Sequence, residues 1–112
     1  MNHGIHLKWL LLAGLLITGQ AMAVGDPSRG EQKSQPCQAC HGKHGESSAP
    51  NFPKLAGQYA SYLTQALHEY RDGTRKNAIM PAFASQLSDQ DIEDLAAWFS
   101  SQKGLEVLSH DD

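Results

Sequence analysis

The stretch Cys37-Gln38-Ala39-Cys40-His41 (CQACH, residues 37–41) decides how the rest of this chain folds. Its two cysteines are the only cysteines among the 112 residues. Side chains three positions apart lie on the same face of a helical turn, so Cys37 and Cys40 present their thiols together. His41 projects from the adjacent position. A single turn therefore offers two thiols and one imidazole to the same ligand.

The Cys-x-x-Cys-His spacing is the attachment sequence for haem c. The two thiols can add to the two vinyl groups of one porphyrin while the imidazole reaches its iron. A thioredoxin-like redox pair is disfavoured because it needs a βαβ context, and no run of alternating apolar and polar residues predicts strands here. A zinc site is disfavoured because it needs four ligands, which scattered histidines would have to complete. The motif predicts one covalently bound haem c.

Composition limits the chain to one small domain. Nine Lys and Arg against twelve Asp and Glu give a net charge of -3, so a basic surface for nucleic acid is missing and neither DNA nor RNA is an expected partner. A domain of this size buries only about 60% of its unfolded surface, and small exported domains often rely on a cofactor, metal or disulfide.

The first 23 residues have the layout of a secretory signal peptide. Basic residues precede an apolar run over residues 9–17, and Ala21-Met22-Ala23 matches an Ala-x-Ala cleavage site. The run is about half the roughly 20 residues that a membrane-spanning helix needs. We predict a signal peptide over residues 1–23, a mature domain over residues 24–112 without a transmembrane segment, and export to the periplasm.

Hydrophobic periodicity predicts an all-α domain. Asp26 and Pro27 are a cap and first-turn pair for a helix through Ser34, and a second turn begins at Cys37. Apolar residues recur at helical spacing over residues 59–70.

The last helix is predicted from a capping box formed by Ser88 and Asp91, and it ends near Gly104. Residues 41–58 are predicted as a long loop, and residues 74–87 as a second loop with room for one short turn. Long loops in compact domains are usually functional.

Met80 is the candidate sixth ligand of the iron. It is the only methionine that remains after residue 23, and it lies in the second predicted loop beside Pro81. The alternative is a methionine that fills a gap in the core. Three histidines are expected to be solvated rather than ligating: His44, His68 and His110.

These residues resemble a class I cytochrome c, and more narrowly a single-haem relative of the bacterial cytochrome c4 family. The resemblance rests on CQACHG (residues 37–42), APNFPKLAGQ (49–58), YRDGTR (70–75), MP (80–81) and the segment over residues 87–104. Cytochrome c4 proteins carry two haem domains in one chain, whereas this sequence has one CxxCH. The fold implied is a small cytochrome c fold, with three to five helices around one covalently bound haem.

The resemblance implies a role for each candidate residue. Cys37 and Cys40 would form the thioethers, His41 would be the proximal ligand and Met80 the distal ligand. A proline carbonyl would accept the other imidazole N–H, and two prolines remain open for this: Pro50 and Pro53.

The function implied is a periplasmic one-electron carrier rather than an enzyme. The alternative is a haem-based gas sensor or peroxidase-type protein with a labile methionine. Expected partners are membrane or periplasmic redox proteins such as a cytochrome bc1 complex, a terminal oxidase or a dehydrogenase. We expect the protein itself to be a monomer.

Charge and aromatic residues add two further expectations. We expect a charge-asymmetric molecule, acidic at the start of the last helix, that docks weakly through lysines near the haem; the alternative is ordinary solvated charge. The lysines are Lys33, Lys43, Lys54 and Lys76; the acidic residues are Asp89, Asp91, Glu93 and Asp94. The aromatic residues expected to pack near the haem are Tyr59, Tyr62, Trp98 and Phe99.

Overall fold

A computed structural model describes residues 24–104, and within that range it contains five helices and no strand. The helices are α1 Pro27–Lys33, α2 Gln35–His41, α3 Ala60–Asp72, α4 Met80–Ala84 and α5 Asp89–Ser100. The all-α prediction is confirmed. The predicted signal peptide, residues 1–23, and His110 lie outside the described residues. Within residues 24–104, no helix has the length and apolar character needed to cross a membrane.

The haem-attachment motif closes α2 instead of opening a helix. Pro36 lies in the first turn of α2, where its missing N–H has no partner to lose. The helix can therefore begin before Cys37, contrary to the expected start at that residue. It ends at His41 because Gly42 has a φ of 84°, a left-handed value that glycine adopts without steric cost.

Ser34 is the single residue between α1 and α2. It is fully buried, its hydroxyl donates to the carbonyl of Glu31 at 2.7 Å, and the side-chain amide of Gln38 donates back to that hydroxyl at 3.0 Å. These bonds tie the last turn of α1 to the second turn of α2.

The capping box that was predicted for α5 is present. The Ser88 hydroxyl accepts from the backbone N–H of Asp91, and the Asp91 carboxylate accepts from the backbone N–H of Ser88. In α3, the residues that face the core are Leu63 and Ala66. Tyr59 is 71% exposed, so its expected inward position is wrong. Tyr59 precedes the first helical residue and has extended backbone, which takes its side chain out of the helical register.

Helix α5 is the centre of the packing. α3 packs against it and contacts α4 on another side, and α1 crosses it. At the crossing, a Cβ built on Gly30 would lie 1.9 Å from the backbone oxygen of Asp94, so only glycine permits this approach. The buried cluster between α3 and α5 consists of Leu63, Leu95, Ala96 and Phe99.

The α1–α5 crossing is held by a buried carboxylate. The Asp94 side chain is fully buried, and it accepts from Arg29 Nε at 3.0 Å, Lys33 Nζ at 2.7 Å and the backbone N–H of Asp26 at 2.9 Å. The hydrogen bond from Arg29 is the main reason that the pKa of Asp94 lies well below its usual range. The alternative of ordinary solvated charge therefore does not hold for Asp94, which is buried. Lys33 is likewise engaged in ion pairs with Asp91 and Asp94, so it is not a free docking charge.

Candidate haem site

A cavity of about 260 Å³ lies between α2, the loop after it, α3, α4 and α5. Its walls include all four residues that the sequence analysis selected as thioether or iron ligands: Cys37, Cys40, His41 and Met80. Three of these come from the end of α2, and Met80 comes from the start of α4. Residues separated by almost forty positions along the chain thus face one space.

The cavity is too large to be an ordinary packing defect. Interiors of folded domains contain few voids larger than a water molecule, whose share of liquid volume is about 30 Å³. Here the core cluster itself forms one wall, since all four of its members line the cavity. Its other apolar walls include Phe52, Leu55, Leu67, Ile79 and Phe83. A large apolar group fits this space, and it would complete the hydrophobic core.

The His41 imidazole is fixed in the orientation that a metal ligand needs. It is 7% exposed, and its Nδ1 donates to the carbonyl oxygen of Pro53 at 2.7 Å. A carbonyl can only accept, so Nδ1 is the donor in this bond, and Nε2 is the nitrogen that is left to bind a metal. Of the two prolines that the sequence left open, the structure selects Pro53 over Pro50. The arrangement is typical of metal-bound histidines, whose second nitrogen usually donates to a carbonyl or carboxylate.

The Cys37 thiol does not have the properties of a reactive cysteine. Burial raises the pKa of the Cys37 thiol to about 11, with a smaller contribution from Cys40. Reactive cysteines have a lowered pKa and act as thiolates at neutral pH, so a thioredoxin-like role is disfavoured. A zinc site is also disfavoured, because residues 24–104 contain no group of three or more His, Cys, Asp or Glu side chains that could hold a metal ion.

Met80 is held at the first position of a short helix. The side-chain oxygen of Asn77 accepts from the backbone N–H of Met80 at 2.9 Å and from that of Ile79 at 2.8 Å. Pro81 follows in the first turn. The sequence predicted a loop here with one short turn, and this turn is α4. The role of Asn77 in starting it was not predicted. Asn77 lies two residues before the N-cap residue Ile79, and an asparagine side chain that accepts from backbone N–H groups two and three positions on is a recognisable turn signal.

A model of the cytochrome c family matches residues 28–103. The chain belongs to this family. Its cofactor is accordingly haem c, covalently bound, and the predicted cytochrome c fold is confirmed.

Several cytochromes c are similar to this chain. Cytochrome c4 from Pseudomonas aeruginosa is 50% identical over 93 residues, which cover 83% of this chain and 46% of that protein. Cytochrome c-554(548) from Halomonas halodenitrificans is 49% identical over 82 residues, which cover 70% of this chain and 99% of that protein. The crystal structure of reduced recombinant cytochrome c4 from Pseudomonas stutzeri superposes with a TM-score of 0.70 at 47% identity, covering 73% of this chain and 48% of that one.

The chain therefore spans about half the length of the cytochrome c4 relatives that it matches and nearly all of cytochrome c-554(548). The resemblance to the cytochrome c4 family is confirmed.

The other described histidines of this cytochrome c domain lie outside the cavity walls. His44 is exposed, as expected, and its ring lies 6.1 Å from that of Trp98. His68 is half-buried on α3, and Arg71 Nη2 donates to its Nδ1 at 2.9 Å.

The expected set of aromatic residues near the haem is only half correct. Tyr62 and Phe99 line the cavity. Trp98 packs against the core cluster but is not among the described residues that form the cavity walls, and Tyr59 is exposed.

One residue on the cavity wall of this cytochrome c was not predicted from the sequence. Arg75 lines the cavity together with Tyr62 and Tyr70. The hydrogen bond from its guanidinium to the Tyr62 hydroxyl is the main reason that the pKa of Arg75 is raised. The motif YRDGTR contains this residue, but its position on the cavity wall depends on the turn after α3, which sequence spacing does not define.

Proposed function

We propose that this chain is an exported one-electron carrier in which Cys37 and Cys40 form the thioether bonds and His41 and Met80 are the axial ligands of the iron. The observation that carries the proposal is the convergence of these four side chains on one apolar cavity. Bound haem c supplies one-electron chemistry between the ferrous and ferric states of its iron.

His41 and Met80 have complementary tasks in this proposal. The hydrogen bond to Pro53 orients the His41 ring and makes Nε2 more basic, so this nitrogen is a strong and constant ligand. The Met80 thioether is a weaker, neutral donor, and His/Met ligation raises the reduction potential relative to two histidines. With His41 and Met80 both bound to the iron, dioxygen and peroxide would find no open site, which favours a carrier over an enzyme.

The walls of the cavity support the same function. Apolar side chains exclude water, and an extra positive charge is costly in such surroundings. The cavity therefore favours the ferrous state and limits solvent reorganisation during electron transfer.

We place the mature protein in the periplasm, after removal of residues 1–23. The proposed partners are respiratory redox proteins such as a cytochrome bc1 complex, a terminal oxidase or a dehydrogenase. Apolar side chains beside the cavity, Ile79 and Phe83, are 49% and 41% exposed, and three exposed lysines remain for weak docking: Lys43, Lys54 and Lys76. Small, partly apolar contacts are typical of transient redox complexes.

Mass spectrometry and a pyridine haemochrome assay on periplasmic protein test export and attachment together. We expect a mass that corresponds to residues 24–112 plus one haem. An apoprotein mass, or a haem lost on acid extraction, would contradict covalent attachment through the two cysteines.

Optical spectroscopy tests the ligation. We expect the ferric protein to show the far-red charge-transfer band of a methionine–iron bond, and Met80→Ala to abolish it. Ser85→Ala is the control, since it truncates an exposed side chain just after α4 that is not on the cavity wall, and it should keep the band. A high-spin wild-type protein that binds added ligands at once would favour the gas sensor or peroxidase instead.

A further inference from the structure

Ser47, in the loop after α2, is the only residue other than glycine within residues 24–104 whose backbone has a positive φ. Its φ is 72°, a left-handed value that a residue with a Cβ adopts only at some steric cost. Strain of this kind persists only where the surrounding contacts hold it. The contacts that hold Ser47 lie on both sides of the hydrogen bond between His41 and Pro53.

The first contact is on the histidine side of that bond. The backbone N–H of Ser47 donates to the carbonyl oxygen of His41 at 2.7 Å. His41 is the last residue of α2, so its carbonyl has no donor within the helix. The bond therefore anchors the loop to the residue that carries the imidazole.

The second contact is on the proline side. The Ser47 hydroxyl lies 2.6 Å from the carbonyl oxygen of Phe52 and 2.7 Å from that of Ala49, and its single hydrogen is shared between these two acceptors. The backbone N–H of Phe52 also donates to the Ala49 carbonyl at 3.0 Å, which closes the turn between them. The hydroxyl thus fixes the carbonyl of the residue that directly precedes Pro53.

The position of the Pro53 carbonyl depends on this contact. Proline has no N–H, so the planar peptide between Phe52 and Pro53 can be held by a hydrogen bond only through the Phe52 carbonyl. The proline ring also locks φ, which leaves ψ as the only free backbone rotation between this peptide and the carbonyl that accepts from His41 Nδ1. The Ser47 hydroxyl therefore orients the peptide on which the His41 bond depends.

We propose that Ser47 is a positioning residue for the axial histidine: it holds the peptide before Pro53 against the end of α2, keeps the His41–Pro53 hydrogen bond short and thereby lowers the reduction potential of the iron. The inference rests on the proposed function, since it requires His41 to be an iron ligand. A strong hydrogen bond from Nδ1 makes Nε2 a better electron donor, and a better donor stabilises the ferric state.

The test is the reduction potential of the isolated holoprotein, measured by spectroelectrochemical titration at neutral pH. We expect Ser47→Ala, which removes the hydroxyl, to shift the ferrous/ferric equilibrium about two- to fivefold toward the ferrous state, where tenfold corresponds to about 59 mV for one electron. The exchange of the His41 Nδ1 proton with deuterium, followed by NMR of the ferrous protein, should be faster in the same variant.

Ser47→Gly separates the role of the hydroxyl from that of the backbone conformation. Glycine adopts a φ of 72° without steric cost, so this variant keeps the path of the loop and the N–H donor and lacks the side chain. We expect the same shift of potential as in Ser47→Ala. A wild-type potential in Ser47→Gly would assign the effect to backbone strain and overturn the proposal.

Ser48→Ala is the matched control. Ser48 is exposed, and its hydroxyl also donates to a carbonyl near the end of α2, that of Cys40 at 2.7 Å. Its bonds run to α2, whereas the bonds of the Ser47 hydroxyl run to the turn before Pro53. The potential and the Nδ1 exchange rate should therefore stay at their wild-type values. An equal shift in Ser48→Ala would indicate a general loosening of the end of α2 and overturn the proposal.

Failure of this inference can be distinguished from failure of the proposed function. Potentials are compared only among proteins that contain one haem per chain and retain the methionine–iron band. Within that set, an unchanged potential in both Ser47 variants, or a shift toward the ferric state, would overturn the proposal while leaving ligation by His41 and Met80 intact. If Ser47→Ala takes up no haem, Ser47→Gly decides, because glycine imposes no strain at this position.

Discussion

The α1–α5 crossing and the haem cavity stabilise two halves of the same small domain by opposite means. At the crossing, Gly30 brings two backbones into contact, and Asp94 is saturated by hydrogen bonds from α1. At the cavity, apolar side chains face a space that the chain itself does not fill. The packing at the crossing involves protein groups alone, whereas the packing around the cavity also requires the cofactor.

This difference explains how so short a chain can have a stable fold. Among residues 24–104, half of the buried apolar residues are alanines: Ala56, Ala66, Ala84 and Ala96, beside Leu63, Ile92, Leu95 and Phe99. Such a core removes little apolar surface from water. The crossing fixes the arrangement of the helices, and we expect the haem to supply most of the missing hydrophobic contact.

The largest effect should follow from loss of the cofactor. We expect the double variant Cys37→Ser, Cys40→Ser to lose bound haem and with it about 3–5 kcal/mol of unfolding free energy, which is comparable to all that a core of this size provides. Denaturant unfolding and near-ultraviolet circular dichroism measure this loss. Ala39→Ser, an exposed change on the same turn, should retain haem and stability.

Hydrogen exchange on the haem-free variant would sharpen the comparison. Residual protection should remain in α1, in α5 and, through the bonds of Ser34, in α2, and it should vanish from α4. Uniform protection across all five helices would show that the half of the domain around the cavity also folds without haem.

The next largest effect should come from Gly30→Ala. The added Cβ would meet the Asp94 backbone oxygen at 1.9 Å, so α1 and α5 must separate at a cost of about 3 kcal/mol. The denaturant midpoint should fall while the haem spectrum of the folded protein is unchanged. Gln32→Ala, on the exposed side of α1, is the control and should leave the midpoint nearly unaltered.

Asp94→Asn should destabilise the crossing by about 2 kcal/mol. The substitution keeps the shape of the side chain but removes the buried charge that accepts from Arg29 and Lys33, which keep only their more exposed partners Asp26 and Asp91. Hydrogen bonds to charged groups contribute about 1.5–3 kcal/mol. Glu93→Gln removes an equal charge from the preceding residue and serves as the control. Equal unfolding free energies for the two variants would mean that the buried carboxylate contributes nothing specific.

The smallest effect should be the dependence of stability on pH. The pKa of Asp94 is lowered in the folded state, mainly by Arg29, so its stabilising contribution is complete above the unfolded pKa of about 3.9. It is lost as the pH falls toward the folded pKa, and we expect a loss of about 1 kcal/mol between pH 5 and pH 3. Unfolding titrations at several pH values should show this loss in the wild type and a shallower one in Asp94→Asn. Parallel curves for the two proteins would contradict the contribution of Asp94 to the pH dependence of stability.

Local signals in the sequence were enough to predict most of the framework. The CQACH motif, the capping box at Ser88 and the helical periodicity after Tyr59 each depend on residues a few positions apart. Met80 could be selected by elimination, because no other methionine follows residue 23.

The remaining features depend on tertiary contacts and could not be predicted in this way. Asp94 and Asp91 look alike on a helical wheel, and only the path of α1 buries one of them. Pro50 and Pro53 are equally plausible partners for His41 until the loop between them is folded. Arg75 acquires its position from a reversal at Gly73 that composition alone leaves undefined.

The single buried serine between α1 and α2 has a further consequence. Ser34 bonds to both helices, so the position of α2, which carries His41, is fixed relative to α1. Helix α1 is in turn held by Asp94. The direction of the imidazole is thereby set by protein contacts before any cofactor arrives. Because the His41 ring is already oriented, it loses little conformational entropy when it binds iron. The domain is therefore preorganised for its prosthetic group.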